Sequence, residues 1–324
     1  MSDSYYPPVL AFLLTAAALC AMLASGLAMQ VAQDHPNHRS LHTQPVPRIG
    51  GFIMVPVILA TWLLLPSTSE LRVVAFSAGI LCLISYCDDR FGLPIGLRFG
   101  SHLVAAIAFA LGMKFPFLSV LIAVFVIVWC TNLYNFMDGA NGLAGGMALI
   151  GFSCLAIAAI DGAPNLALAC ACIAAAAAGF LLFNFNPARV FLGDAGSVPL
   201  GFLVAAIGII GWREALWDVW FPLVVFAPFI VDASFTLFRR ILKRERIWEA
   251  HHDHYYQRLV RMGWSHRRLA LAEYALMLTV AIAALVLRHA AQGVQLAGLL
   301  TLAASLASLM LVVDRRWTRY QRAQ

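Results

Sequence analysis

The sequence predicts an all-α fold, a polytopic membrane bundle of about eleven (ten to eleven) transmembrane helices. Three observations predict it. The chain has 324 residues of which 62% are hydrophobic and only 12% charged, a composition outside the range of soluble globular domains. Apolar stretches near the ~20 residues that cross a bilayer recur along the whole length. Every second gap between them is loaded with polar residues, while the intervening gaps are nearly bare. The loaded gaps are 33–51, 88–99, 131–141, 184–197 and 239–268. Alternate loops of a membrane protein lie on one side, so these five are expected to meet at one surface.

The first segment, 9–31, has no basic flank before it and no small-residue cleavage site after it, and reads as an anchor rather than a removed signal. Segments 51–66 and 72–87 follow, the latter running into Asp88 and Asp89. Ionisable groups at the end of an apolar span are costly and point to function. Adjacent carboxylates can hold a cation, or raise one partner's pKa so that it serves as a base; they can also simply pair with Arg90. Segments 100–115 and 117–133 lead to Asn132, Asn135, Asp138 and Asn141, spaced by three as on one face of a helix end. Segments 143–160 and 164–183 carry small residues, including Ala174 to Ala178, suited to close helix packing.

Before segment 199–212 stand Asn184-Phe185-Asn186-Pro187 and Gly193-Asp194-Ala195-Gly196-Ser197, flanking Arg189 and Phe191. Small residues around one carboxylate let phosphate oxygens approach the backbone, and turns use the same residues. Segment 217–238 contains Asp232, seven residues before Arg239, as a site member or as a neutraliser of that arginine. The gap after it sets His251, His252, Asp253 and His254 among nine Lys and Arg. Imidazoles there could bind phosphate, zinc being the competitor, and the basic stretch could rest on anionic headgroups. Segments 269–287 and 293–313 complete the bundle. All seven cysteines fall inside spans without metal-ligand spacing.

With eleven spans and the amino terminus outside, 18 of the 22 Lys and Arg fall on the side of the loaded loops, leaving Arg72, Lys114, Arg213 and Arg288 opposite. The positive-inside rule therefore expects those loops, and the carboxyl terminus, in the cytoplasm.

These segments together, from Asp34-His35-Pro36-Asn37 and Pro47-Arg48-Ile49-Gly50-Gly51 to Gly263-Trp264-Ser265-His266-Arg267, resemble the polyprenyl-phosphate N-acetylhexosamine-1-phosphate transferase family. The family includes the enzymes that start O-antigen and teichoic acid synthesis and the phospho-MurNAc-pentapeptide translocase. The resemblance implies one integral membrane domain, 1–324, in a bacterial inner membrane, with a periplasmic amino terminus. It implies Mg²⁺, with Mn²⁺ as a substitute, and UDP-N-acetylhexosamine and undecaprenyl phosphate as substrates, with no nucleic acid; a homodimer is compatible with it. Asp88 and Asp89 match the family's Asp-Asp motif, and Arg98 stands at a basic position that is usually Lys. Asn135 and Asp194 match metal ligands and Asp138 the catalytic acidic position. Asn141 and Phe191 fall where uracil is bonded and stacked, and His252 and His254 match the motif that holds pyrophosphate.

Three departures matter. Many bacterial members carry Asp at the position of Asn141. Arg98 exchanges a point charge for a planar fork. The run His252-Asp253-His254-Tyr255-Tyr256-Gln257-Arg258 lacks the three consecutive histidines of the pentapeptide translocase, and looks most like the O-antigen-initiating branch. The competing class is a secondary transporter using Asp88, Asp138 and Asp232, which would place its ion site at mid-bundle, often with internal repeats. A non-catalytic scaffold for a polysaccharide complex would not need all five motifs.

Overall fold

The computed structural model describes residues 6–34, 45–66, 68–245 and 252–323. His35, Pro36, Asn37 and His251, named above, lie outside the described residues.

Each of the eleven apolar segments coincides with helix. In chain order the elements are α1 (Tyr6–Ala24), α2 (Ala28–Val31), β1 (Gln33–Asp34), β2 (Val46–Pro47), α3 (Gly50–Trp62), α4 (Ser69–Phe91), α5 (Ile95–Gly112), α6 (Phe117–Phe136) and α7 (Leu143–Ala159). Then come α8 (Pro164–Asn184), α9 (Asp194–Arg213), α10 (Trp220–Val225), α11 (Ala227–Leu242), α12 (Tyr255–Arg261), α13 (His266–Leu287) and α14 (Gln292–Arg322). Among the described residues eight helices are long and apolar enough to cross a membrane, and α3 and α7 are shorter apolar ones.

Three segments differ most from the sequence expectation. The first segment ends at Ala24 rather than residue 31, because Ser25 and Gly26, with φ +73°, turn the chain into α2. The ninth, expected as 217–238, is broken at Phe226 into α10 and α11. Pro222 and Pro228 flank the break, and neither can donate a backbone hydrogen bond. The last helix runs to Arg322, well past residue 313.

Helix α9 is the axis of the bundle, buried along nearly its whole length and packed by α3, α4 and α6, while α7 and α8 form the other half of the core. Outward faces are apolar: Phe76 and Leu83 on α4, Phe117, Leu118 and Phe125 on α6, and most of α14 are exposed, as lipid contact requires. The closest backbone approach joins α3 to the start of α9. A Cβ on Gly51 would lie 2.1 Å from the Gly196 nitrogen, so only glycine lets the two helices meet there. Alongside, Gly50 and Gly51 donate to the Phe191 and Leu192 carbonyls, and Phe191 donates to Pro47. The Pro47–Gly51 motif is thus sewn to the chain entering α9.

Candidate active site

Gly193, at φ +72°, turns the chain into α9, whose first N–H groups meet carboxylates brought from other segments. Asp89, at the end of α4, accepts from the Ala195 N–H at 3.1 Å, and the Gly193 N–H donates to Asp138. Both carboxylates act as caps from other segments, at the positive end of the helix dipole. Asp194 is the first residue of the same helix. Its neighbour Asn135, near the end of α6, donates to it and accepts the Ser197 hydroxyl at 3.3 Å. Gly193 has a steric reason as well as a conformational one, since a Cβ there would sit 2.7 Å from Asp89 Oδ2.

Three carboxylates, Asp89, Asp138 and Asp194, therefore converge on one helix start. Burial pushes the Asp138 carboxyl well above the usual carboxylate range, and the charges of Asp194 and Asp89 push the same way while Arg48 opposes them.

Two arginines flank the carboxylates. Arg98, on α5, bonds Asp88 at 2.9 Å and lies 4.0 Å from Asp194, with 42% of its side chain exposed. Asp88 also takes the Leu93 N–H at 2.7 Å across the α4–α5 turn. Its partners differ from those of Asp89, so the adjacent pair is divided between two tasks. Arg90, the alternative partner for the pair, instead donates to the Val31 carbonyl. Arg48 bonds Asp34 at 2.8 Å and lies 3.7 Å from Asp89. The sequence pattern places Arg48 in the Pro47–Gly51 motif without assigning it a role, and the polar gap 33–51 is the signal that marks it.

The row Asn132, Asn135, Asp138, Asn141 does not share one helix face. Helix α6 ends at Phe136, Asn132 folds back onto the Val128 carbonyl, and Asp138 and Asn141 lie in the turn before α7. Spacing by three carries no face once the helix has ended. Asn141 donates through its amide to Asn186 at 3.4 Å and through its backbone to His266 at 3.4 Å. Asn184 receives the Gly142 N–H at 2.9 Å and donates to the Val190 carbonyl at 2.8 Å. These bonds tie the α6–α7 turn to the 184–192 loop, which contains the cis Asn186–Pro187 bond and half-buried Phe191.

The last loop is clasped from below. Asp232 on α11 accepts the Tyr255 and Tyr256 N–H groups at 2.9 and 3.0 Å, contacts His254 Nδ1 at 3.2 Å and takes the Thr236 hydroxyl. It does not neutralise Arg239, which pairs with Asp314 on α14. His254 is buried between the Phe136 and Tyr256 rings, and Tyr256 donates its hydroxyl to the Phe136 carbonyl at 3.2 Å. The segment bearing His252 and His254 is thereby fixed to the same turn as Asp138.

The donor set can be tested for Mg²⁺ on these contacts. Among the described residues no three His, Cys, Asp or Glu side chains form a ready cage. Mg²⁺ typically takes one or two carboxylates and completes its shell with substrate phosphates and water. Mutually repelling carboxylates beside an Asn amide offer oxygen donors without a Cys or His, which fits that demand better than it fits zinc or a soft metal.

Residues 71–212 match the family described as glycosyl transferase family 4. The chain is 32% identical over 279 residues to a probable undecaprenyl-phosphate N-acetylglucosaminyl 1-phosphate transferase of Bacillus subtilis, covering 80% of this chain and 78% of that protein. It is 31% identical over 309 residues to the phospho-N-acetylmuramoyl-pentapeptide-transferase of Acaryochloris marina, covering 81% and 80%. It is 27% identical over 312 residues to the decaprenyl-phosphate N-acetylglucosaminephosphotransferase of Mycobacterium leprae, covering 80% and 78%.

Proposed function

Because this chain belongs to glycosyl transferase family 4, we propose that it moves an N-acetylhexosamine-1-phosphate from a UDP-sugar to undecaprenyl phosphate. The reaction releases UMP and starts a lipid-linked surface glycan such as O-antigen. The observation that carries this reading is the convergence of Asp89, Asp138 and Asp194 on the start of α9, between Arg48 and Arg98.

Asn135 and Asp194, with Asp138 beside them, would hold Mg²⁺, which when bound supplies charge neutralisation on the diphosphate and the leaving UMP. Asp88, engaged with Arg98 and the Leu93 N–H, orients that guanidinium. Arg98 and Arg48 are then placed to take phosphate oxygens. The acceptor is a phosphate monoester with its second pKa near ~6, so its oxygen is largely ionised at neutral pH. Positioning contributes more to rate than removal of its proton. His254 spends Nδ1 on Asp232 and fixes the loop that presents His252. Asn141, paired to Asn186, and Phe191 are the uracil contacts in this reading.

A second reading, phospho-MurNAc-pentapeptide transfer, is favoured by the similar identity to the Acaryochloris protein. Purified protein given a panel of UDP-N-acetylhexosamines and UDP-MurNAc-pentapeptide, with undecaprenyl phosphate and Mg²⁺, is expected to release UMP with an N-acetylhexosamine. Release with the muropeptide alone would replace the first reading by the second, and no release with any donor would remove both. A transporter would place its acids at mid-bundle, whereas here they gather where the loaded loops meet.

The site faces the cytoplasm in this reading, on the distribution of Lys and Arg. In an active cysteine-free background, Phe91→Cys is expected to be shielded from an impermeant thiol reagent outside intact cells, and Lys114→Cys to be labelled. The reverse pattern overturns the orientation.

A further inference from the structure

The α11–α12–α14 junction encloses a cavity of about 120 Å³. On the measure by which one water needs ~10–15 Å³, that is room for a phosphate group. Its walls carry Arg239 and Arg240 from α11, Lys243 just past that helix's end, Arg258 from α12, and Trp317 and Gln321 from α14. The lining cations outnumber the lining carboxylates Glu245 and Asp253. Counting Asp314, which bonds Arg239 and Arg258 from behind, still leaves a positive excess.

The three arginines are held by ion pairs rather than waving in solvent. Arg258 has only 6% of its side chain exposed, is bonded to Asp314 at 2.9 Å and lies over the Tyr255 and Trp317 rings. Its buried Nε has no hydrogen-bond partner among the described residues, a cost of about 1–3 kcal/mol for a desolvated donor unless a ligand supplies the acceptor. Arg240, with an 11% exposed side chain, bonds Glu245 and Asp253. Lys243 is exposed at the rim, with no ion pair among the described residues.

The surroundings say what kind of anion reaches it. On α11 the residues interleaved with the cations, Phe235, Phe238, Ile241 and Leu242, are exposed and apolar, as are Leu309, Leu311 and Val312 on α14. The cavity thus lies where two lipid-facing helices pass into their polar ends, with a tryptophan in its wall. That is the level of a headgroup phosphate, where tryptophan and basic residues gather. None of the lining residues belongs to the carboxylate cluster at α9.

We propose that this cavity binds the headgroup phosphate of an anionic membrane phospholipid, with the acyl chains lying on the exposed faces of α11 and α14. The bound lipid bridges those helices to α12 and so braces the loop that carries His252 and His254.

The test uses the full chain in neutral detergent, following its thermal unfolding while phosphatidylglycerol, phosphatidylcholine, undecaprenyl phosphate or inorganic phosphate is titrated in. Phosphatidylglycerol is expected to raise the midpoint where phosphatidylcholine does not, and the effect is expected to shrink at high salt. Lys243→Gln is expected to weaken phosphatidylglycerol about fivefold, the share of one basic residue at a lipid surface. Gln321→Glu, which disturbs no ion pair, is expected to weaken it at least as much. Equal stabilisation by the two phospholipids, or undiminished phosphatidylglycerol binding in both variants, overturns the proposal. So does a variant-sensitive shift given by undecaprenyl phosphate or inorganic phosphate but not by phosphatidylglycerol, which would make the cavity an acceptor or free-anion site.

Discussion

The start of α9 and the junction of α11 with α12 both bury carboxylates against backbone N–H groups, and they do it to opposite ends. Asp232 is surrounded by donors: two backbone N–H groups, the Thr236 hydroxyl and His254. At α9 three carboxylates share one helix start, and Asp138 is pushed upward by burial and by its acidic neighbours. A carboxylate satisfied by fixed donors holds a fold together. Carboxylates left facing one another store repulsion, which under the proposed function a bound cation would relieve.

The sharpest way to break this comparison is at Asp194. Asp194→Asn is expected to lower UMP release about 10³-fold, the several kcal/mol that a metal's charge stabilisation is worth. The unfolding midpoint should stay close to wild type, because a repelling charge is removed. Near-wild-type turnover at limiting Mg²⁺ would show that Asp194 holds no metal. The counterpart is Asp232→Ala, which leaves two buried N–H groups without an acceptor. It is expected to cost about 2–6 kcal/mol of stability at ~1–3 kcal/mol for each stranded group, read as a lowered thermal midpoint. Asp232→Asn retains an acceptor oxygen and should lose distinctly less; equal losses would mean that hydrogen bonding is not its task.

Gly193→Ala tests the junction of the carboxylates with the helix. At φ +72° and 2.7 Å from Asp89 Oδ2, the added methyl has to displace Asp89, and strain of about 1–3 kcal/mol is expected. Activity should fall roughly 10- to 100-fold, with a loss in kcat rather than in KM for the UDP-sugar. The smallest effect is expected from Arg98→Lys, which keeps the charge and gives up the fork; turnover should remain within about tenfold of wild type, while Arg98→Ala should fall well below it. If both substitutions act alike, the arginine serves only to hold Asp88.

Much of this was legible in one dimension. Composition and the spacing of apolar stretches located all eleven segments, because a bilayer imposes length and hydrophobicity on every span whatever its neighbours do. The loaded gaps marked Asp88, Asp89, Asp138, Asp194 and the His252–His254 loop, because ionisable groups at the end of a span need a reason to be there. What a local pattern could not show was direction. Asn132, Asn135, Asp138 and Asn141 share a spacing without sharing a helix face, since α6 stops at Phe136.

The sequence by itself therefore determined that this is a membrane bundle with its polar chemistry gathered in alternate loops. Only the tertiary structure decided the use of each group. Adjacent Asp88 and Asp89 were separated, one orienting Arg98 and the other capping α9, Arg48 was brought from a distant loop to Asp89, and Asp232 became a clasp rather than a counter-ion for Arg239. The physical reason is that hydrophobicity is a property of each segment and is written along the chain. A carboxylate's role depends on which donors and charges surround it, and those come from segments that only folding brings together.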